Sequence, residues 1–293
     1  MTWSQATFVV DASQVDQLTA LLEAFLAAAV TTENAGDDEF YEVAFPGTPD
    51  WEKVKVTGLF DERVELAPII EFVQKQYPNQ EIPVGVNKLV DQDWERVWLD
   101  SFKPIEVGKN LWVCPTWCEP SAPQARNIYL DPGLAFGTGT HATTYMCLAW
   151  LAEHSLDGCR TLDYGSGSGI LAIAALMSGA THADAVDIDP LAVDACVENA
   201  RRNNVSNSMS AYLPSGLPNK PSHSYDLVIA NILAEVIIEL RDTLLLHLKP
   251  GGTLLLTGIL DSQAERVKRS FGSEFTFTQT QRDQWTLLVA SRS

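Results

Sequence analysis

A chain of 293 residues is long enough for two domains of ordinary size, each with its own core. An apolar fraction of 46% and a charged fraction of 20% belong to a folded chain and exclude a disordered one. With 20 Lys+Arg against 38 Asp+Glu the net charge is −18, and no basic residue precedes Lys53; neutralising phosphates needs clustered Lys and Arg, so this balance argues against nucleic acid and favours a basic partner, unless the acidity serves solubility or salt adaptation alone.

The first ninety residues read as strand, helix, strand, strand, helix, strand. Trp3–Asp11 is β-rich, and Ser13–Ala29 carries apolar residues at helical spacing (Val15, Leu18, Leu21, Leu22, Phe25) behind Ser13 as N-cap. The run Leu18–Val30 contains Glu23 and has no positive flank, so it is not a signal peptide; no longer apolar run spans a bilayer, and a cytoplasmic location is expected. Strands are predicted at Tyr41–Phe45 and Val54–Leu59, a helix at Leu66–Tyr77 and a closing strand at Val84–Val90. That order suits a small α+β ferredoxin-like domain over residues 1–90.

A helical connector is expected over 91–115, with Trp94 and Trp98 four apart on one face of DQDWERVWLDSF for packing. From 116 to 293 the pattern becomes strands alternating with helices. Thr161–Tyr164, Ala183–Ile188, Asp226–Ala230 and Thr253–Thr257 are short β segments, separated by helices such as Ile170–Ser178 and Pro190–Asn203. This is the mark of a mostly parallel α/β sheet. Two strands at Glu274–Thr280 and Trp285–Ser291 should end it as an antiparallel hairpin. The five cysteines (Cys114, Cys118, Cys147, Cys159, Cys196) lack metal-ligand spacing and have no matching His cluster, so reduced thiols and no metal are expected.

Four segments carry chemistry. In TLDYGSGSG, Thr161 to Gly169, glycines 165, 167 and 169 let the backbone turn sharply before a helix N-terminus, which suits a polar ligand, a dinucleotide or a mere tight turn. In AVDIDP, Asp187 at the strand end can accept from both ribose hydroxyls of an adenosine, whereas Asp189 before Pro190 reads as a helix N-cap. Ile188 between them packs on an adenine face or in the core. DLVIANIL ends a strand in Asn231 at the carboxyl edge of the sheet, where its amide can orient an amine, fix a cofactor or cap a helix. LDPGLAFGTGTHATT, Leu130 to Thr144, is a glycine-rich loop in which Thr138, Thr140, His141 and Thr144 supply polar groups, His141 for chemistry or for a structural hydrogen bond.

Together D-x-G-x-G-x-G, the acid at the end of the second strand and the polar residue at the end of the fourth resemble a class I methyltransferase with a Rossmann-like, seven-stranded sheet. The combination DPGLAFGTGTHATT, LDYGSGSGILAIAAL, AVDIDPLAV and IANIL resembles more narrowly the bacterial methyltransferases of ribosomal protein L-eleven, over most of the chain. The resemblance implies S-adenosyl-L-methionine as cofactor, held at Thr144, Gly165, Gly167, Asp187 and Asn231. It implies a basic protein substrate docked by the N-terminal domain, with methylation of its α-amine and lysine side chains, and a swinging connector; a monomer is the default expectation. Asn231 is then the residue that orients the amine. Ser166, where relatives often have Cys, and Ala142, where they often have Pro, depart from the pattern. Three other readings compete: an RNA base or small molecule as acceptor, a nicotinamide oxidoreductase, and a non-catalytic adaptor. The charge, the glycine spacing with the terminal hairpin, and the intact cofactor motifs stand against them respectively.

Overall fold

Strict alternation of inward and outward side chains through β1 (Trp3–Asp11) makes that strand one wall of a core, with Ala6, Phe8 and Val10 buried on one face. The computed structural model describes residues 3–35, 52–77, 84–89, 102–131, 139, 141–217 and 224–292. The chain divides into two compact units, 1–100 and 101–293.

In the first unit β1 is followed by α1 (Val15–Ala24), β2 (Ala29–Asn34), β3 (Lys53–Asp61), α2 (Leu66–Gln76) and β4 (Val84–Leu89). The sheet order is β2-β3-β1-β4 and every neighbouring pair is antiparallel, which is the ferredoxin-like arrangement. Leu18 and Leu22 of α1 and Ile69 and Val73 of α2 pack with Phe8, Val56 and Phe60 into the core of this unit.

The helix expected to reach Ala29 stops at Ala24. Leu26 takes φ 65°, the Ala27 amide donates to the Leu22 carbonyl and the Leu26 amide to the Glu23 carbonyl, a Schellman termination. Leucine is an unusual residue for that left-handed position, so the sequence carries no stop signal there. The β-branched run Val30-Thr31-Thr32 then pairs with β3 instead of extending the helix. The strand expected at Tyr41–Phe45 and the Trp94–Trp98 segment lie outside the described residues.

The second unit opens with β5 (Ile105–Gly108), β6 (Leu111–Cys114) and β7 (Arg126–Tyr129) in one three-stranded sheet. This corrects the expectation of a helical connector through 115: beyond the undescribed residues up to 101, the chain forms a hairpin. Its cause is local, because Gly108 and Asn110 both adopt positive φ (151° and 59°) and reverse the chain between β5 and β6.

Then follow α3 (Ala142–Glu153), β8 (Arg160–Tyr164), α4 (Ile170–Met177), β9 (His182–Val186), α5 (Pro190–Arg202), β10 (Met209–Tyr212), β11 (Tyr225–Asn231), α6 (Ala234–Glu239), α7 (Arg241–His247), β12 (Leu248–Leu260), α8 (Ala264–Phe271), β13 (Phe275–Arg282) and β14 (Trp285–Arg292). The sheet runs β10-β9-β8-β11-β12-β14-β13, its first five strands parallel and β14 antiparallel to both neighbours. β8 and β11 are adjacent although far apart in sequence, so the order reverses there, and ligands bind beyond the carboxyl ends of strands at such a point. No helix among the described residues is long and apolar enough to cross a membrane.

Candidate functional site

The glycine turn after β8 is built by left-handed backbone geometry that favours glycine. Gly165, Gly167 and Gly169 have φ of 80°, 52° and 78°. A Cβ on Gly165 would lie 2.2 Å from Ile232 Cγ2, in the segment after β11. The amides of Gly165 and Ser166 both donate to the Val186 carbonyl, at 2.7 and 3.0 Å, which ties the turn to the end of β9.

That tie delivers Asp187 to the turn. Its Oδ2 accepts from the Gly167 amide at 2.8 Å and its Oδ1 from the Asp189 amide at 3.0 Å. A carboxylate so held keeps further lone pairs on both oxygens for incoming hydroxyls. Asp189 does what its place before Pro190 suggests: its side chain caps α5 by accepting from the Leu191 amide at 2.9 Å. Ile188 is 82% exposed at the cavity lip, so it is an apolar platform for a ligand and not core.

Thr144 and Asn231, 87 residues apart, meet across the other side of the site. Thr144 is fully buried in the first turn of α3, and Asn231 Nδ2 donates to its Oγ1 at 3.1 Å. Asn231 ends β11 in register with Thr257, and the next amide, Ile232, donates to the Thr257 carbonyl. Here β12 passes close enough that a Cβ on Gly258 (φ 86°) would lie 2.2 Å from the Ile232 carbonyl oxygen. Gly258 therefore shapes the wall beside Asn231, a role that no motif announced.

All five sequence-predicted site residues, Thr144, Gly165, Gly167, Asp187 and Asn231, line one cavity of about 280 Å³. Ile188, Ile232 and Val236 give it apolar walls, in the manner of small-molecule pockets with a few convergent polar groups. His141 turns out to be structural. Its side chain caps α3, accepting from the Thr143 amide at 3.4 Å, and Nδ1 is 2.7 Å from Thr143 Oγ1. Burial lowers its pKa, which favours the neutral ring that can accept. Of the remaining loop polar groups, Thr138 and Thr140 lie outside the described residues.

Asp163, the first acid of the glycine motif, supports the turn from within the core and was not singled out from the sequence. It is fully buried; Oδ2 accepts from the Ala172 amide at 3.1 Å, holding the first turn of α4, while Oδ1 has no partner among the described residues. Desolvation pushes its carboxyl up to about 7, the Ala172 hydrogen bond opposing and the Asp187 charge assisting. Beneath the turn, burial raises the Cys147 and Cys196 thiols, the latter to about 12, so neither supplies a thiolate at neutral pH. No group of three His, Cys, Asp or Glu that could hold a metal occurs among the described residues.

These groups suit S-adenosylmethionine. The Asp187 carboxylate keeps lone pairs for ribose hydroxyls, and the exposed Ile188 side chain offers an apolar face to an adenine ring. A dinucleotide would need the G-x-G-x-x-G spacing that this turn lacks.

The sequence profile of the family described as ribosomal protein L11 methyltransferase (PrmA) matches residues 2–293. Among curated relatives, the ribosomal protein L11 methyltransferase of Chromohalobacter salexigens is 44% identical over 92% of both chains. That of Cellvibrio japonicus is 40% identical over 100% of this chain and 99% of its own. Among solved structures, the ribosomal protein L11 methylase of Lactobacillus delbrueckii subsp. bulgaricus is 31% identical with a TM-score of 0.60, covering 66% of this chain and 100% of its own.

Proposed function

The chain belongs to the ribosomal protein L11 methyltransferase family and is an S-adenosylmethionine-dependent methyltransferase of that ribosomal protein, and we propose that its acceptors are unprotonated amines, the substrate's α-amine and lysine ε-amines, oriented by Asn231. The observation that carries this is the Asn231–Thr144 hydrogen bond. It spends one of the two amide hydrogens on Thr144 and so fixes the side chain, whose carbonyl oxygen remains an acceptor beside the second N–H. A neutral amine has N–H bonds for that oxygen and a lone pair for attack.

When bound, the cofactor supplies a methyl carbon on a positively charged sulfur. An amine oriented by Asn231 would take that methyl carbon with its lone pair, the C–S electron pair remaining on sulfur and a proton leaving the nitrogen for solvent. Positioning contributes most to such an in-line displacement, and no strong base is required. Asp187, itself held by the Gly167 amide, fixes the nucleoside end, while the apolar walls exclude water. A lysine with a reference pKa of about 10.4 is almost wholly protonated at neutral pH, whereas an α-amine near 8 is less so, and desolvation lowers both.

In this reading the acidic N-terminal unit docks the basic substrate, in the cytoplasm and without direct contact to nucleic acid or membrane. Its support is the absence of any basic residue before Lys53 within a net charge of −18. The test is incubation with labelled S-adenosylmethionine and ribosomal proteins from cells lacking the enzyme, followed by intact mass. One basic protein gaining several methyl increments on amines is expected; label in RNA, or on a non-amine group, would overturn the reading.

A further inference from the structure

The N-terminal turn of α3, which presents Thr144 to the cavity, is gripped on a neighbouring face by the tip of the β13–β14 hairpin. Arg282 and Trp285 are cross-strand partners, the last pair before the reversal at Asp283-Gln284. Trp285 is only 7% exposed, and its ring meets His141 edge-on, centroids 5.1 Å apart at 66°. Across the same tip the Arg282 guanidinium lies over the Tyr145 ring, 3.7 Å from its centroid.

His141 and Tyr145 are one helical turn apart, the Tyr145 amide donating to the His141 carbonyl at 2.9 Å, so they share a face. Thr144 precedes Tyr145 and points about 100° around the helix from it, into the cavity where Asn231 meets it. His141 also caps this turn through Thr143. The hairpin tip therefore touches the residues on either side of Thr144 in the chain and leaves Thr144 itself to the site.

From this geometry we infer that Arg282 and Trp285 are positioning residues for methyl transfer: by clamping the first turn of α3 they hold Thr144 where it fixes the Asn231 amide. The inference rests on the role proposed above for Asn231. Neither residue touches the cavity. Their effect passes through the helix turn, and a displacement of the order of 1 Å at the reacting groups costs up to about 100-fold in rate.

The test is steady-state methylation of the purified ribosomal-protein substrate by the full-length enzyme, with Trp285→Leu, Trp285→Phe, Arg282→Met and Arg282→Lys, each alone and on an Asn231→Ala background. Trp285→Leu and Arg282→Met should each lower kcat about 10-fold or more, with substrate KM and cofactor affinity within about threefold of the parent. Trp285→Phe and Arg282→Lys should recover most of that loss. Arg282 is exposed, so its substitution puts folding at little risk should Trp285→Leu fail to fold. On the Asn231→Ala background the same substitutions should cost less than about twofold, since the group they position is gone. Losses that add in full to that of Asn231→Ala, or a lowered melting temperature with unchanged kcat, would overturn the inference. An Asn231→Ala enzyme with full turnover would instead overturn the role of Asn231, and the two failures are read from different variants.

Discussion

Replacing Gly165 by alanine separates two penalties that the structure lets one compare, because Gly158 has the same φ of 80° and no atom within 4 Å of where a Cβ would stand. At Gly158 the substitution meets only the left-handed backbone, about 1–2 kcal/mol, partly offset by a less flexible unfolded chain, about 0.4–1 kcal/mol. At Gly165 the same backbone term applies and the new Cβ stands 2.2 Å from Ile232 Cγ2. Ile232 is β-branched and stiff at χ1, so relief requires the segment after β11 to move, and overpacking of this kind adds about 1–3 kcal/mol. Ile232 is itself a cavity wall, so that movement falls on the ligand site. Each 1.4 kcal/mol is about tenfold in affinity, so cofactor binding should weaken about 10- to 100-fold in Gly165→Ala and be unchanged in Gly158→Ala. Titration calorimetry with S-adenosylmethionine reads the affinity and a thermal melt reads the stability of both variants. Equal affinities for the two would refute the argument that Gly165 is required by close approach.

Asp187→Asn removes a charged acceptor from the ribose position and should weaken cofactor binding about 10- to 100-fold in the same calorimetry, at about 1.5–3 kcal/mol for hydrogen bonds to a charged group. Asn231→Ala should lower kcat more than it weakens cofactor binding, as single-turnover assays and the same calorimetry would show; an affinity loss as large as the kcat loss would leave Asn231 with the cofactor-binding role alone. The Asp163 carboxyl, raised to about 7 by burial, is protonated in the folded cofactor-free protein at a pH where the unfolded chain has lost that proton. Its contribution to stability is thus fully present below about pH 4 and is lost as pH rises through 7. Asp163→Asn should flatten the stability difference between pH 5 and 8 in denaturant titrations, and a parent profile as flat as the variant's would remove the basis for the claim. Turnover on amines should rise with pH as the acceptor loses its proton, and in an α-amine substrate the rise should be centred lower than in a lysine one.

The features that could be read directly from the sequence are those whose physics is local. The glycine turn, the Asp189 cap and the acid at Asp187 each need only a few consecutive residues, and each stands where the motif puts it. The end of α1 could not be read, because Leu26 occupies a left-handed position that glycine or asparagine usually announces. The β5–β6 hairpin was hidden because Lys109-Asn110 is a weak signal beside the helical spacing of the tryptophans before it. Asp163 was passed over since an acid preceding a glycine turn looks like part of the turn until its burial is known. The Thr144–Asn231 contact arises only once α3 meets the end of β11, and the demand for glycine at 258 only once β11 and β12 lie side by side.

The order of strands also bears on when the site becomes competent. β14 follows β13 in the chain yet lies inside the sheet, between β12 and β13, while β13 holds the edge and, among the described strands, pairs with β14 alone. β13 thus has no place to dock until β14 has been laid against β12, and the hairpin must arrive as a preformed ribbon or close last. Because the tip of that ribbon rests on the turn that carries Thr144, an assembling chain can complete its glycine turn and its acidic cradle early and still lack an ordered acceptor side. Capacity to take up the cofactor would then precede capacity to spend it, a sequence of events built into the topology before any substrate arrives.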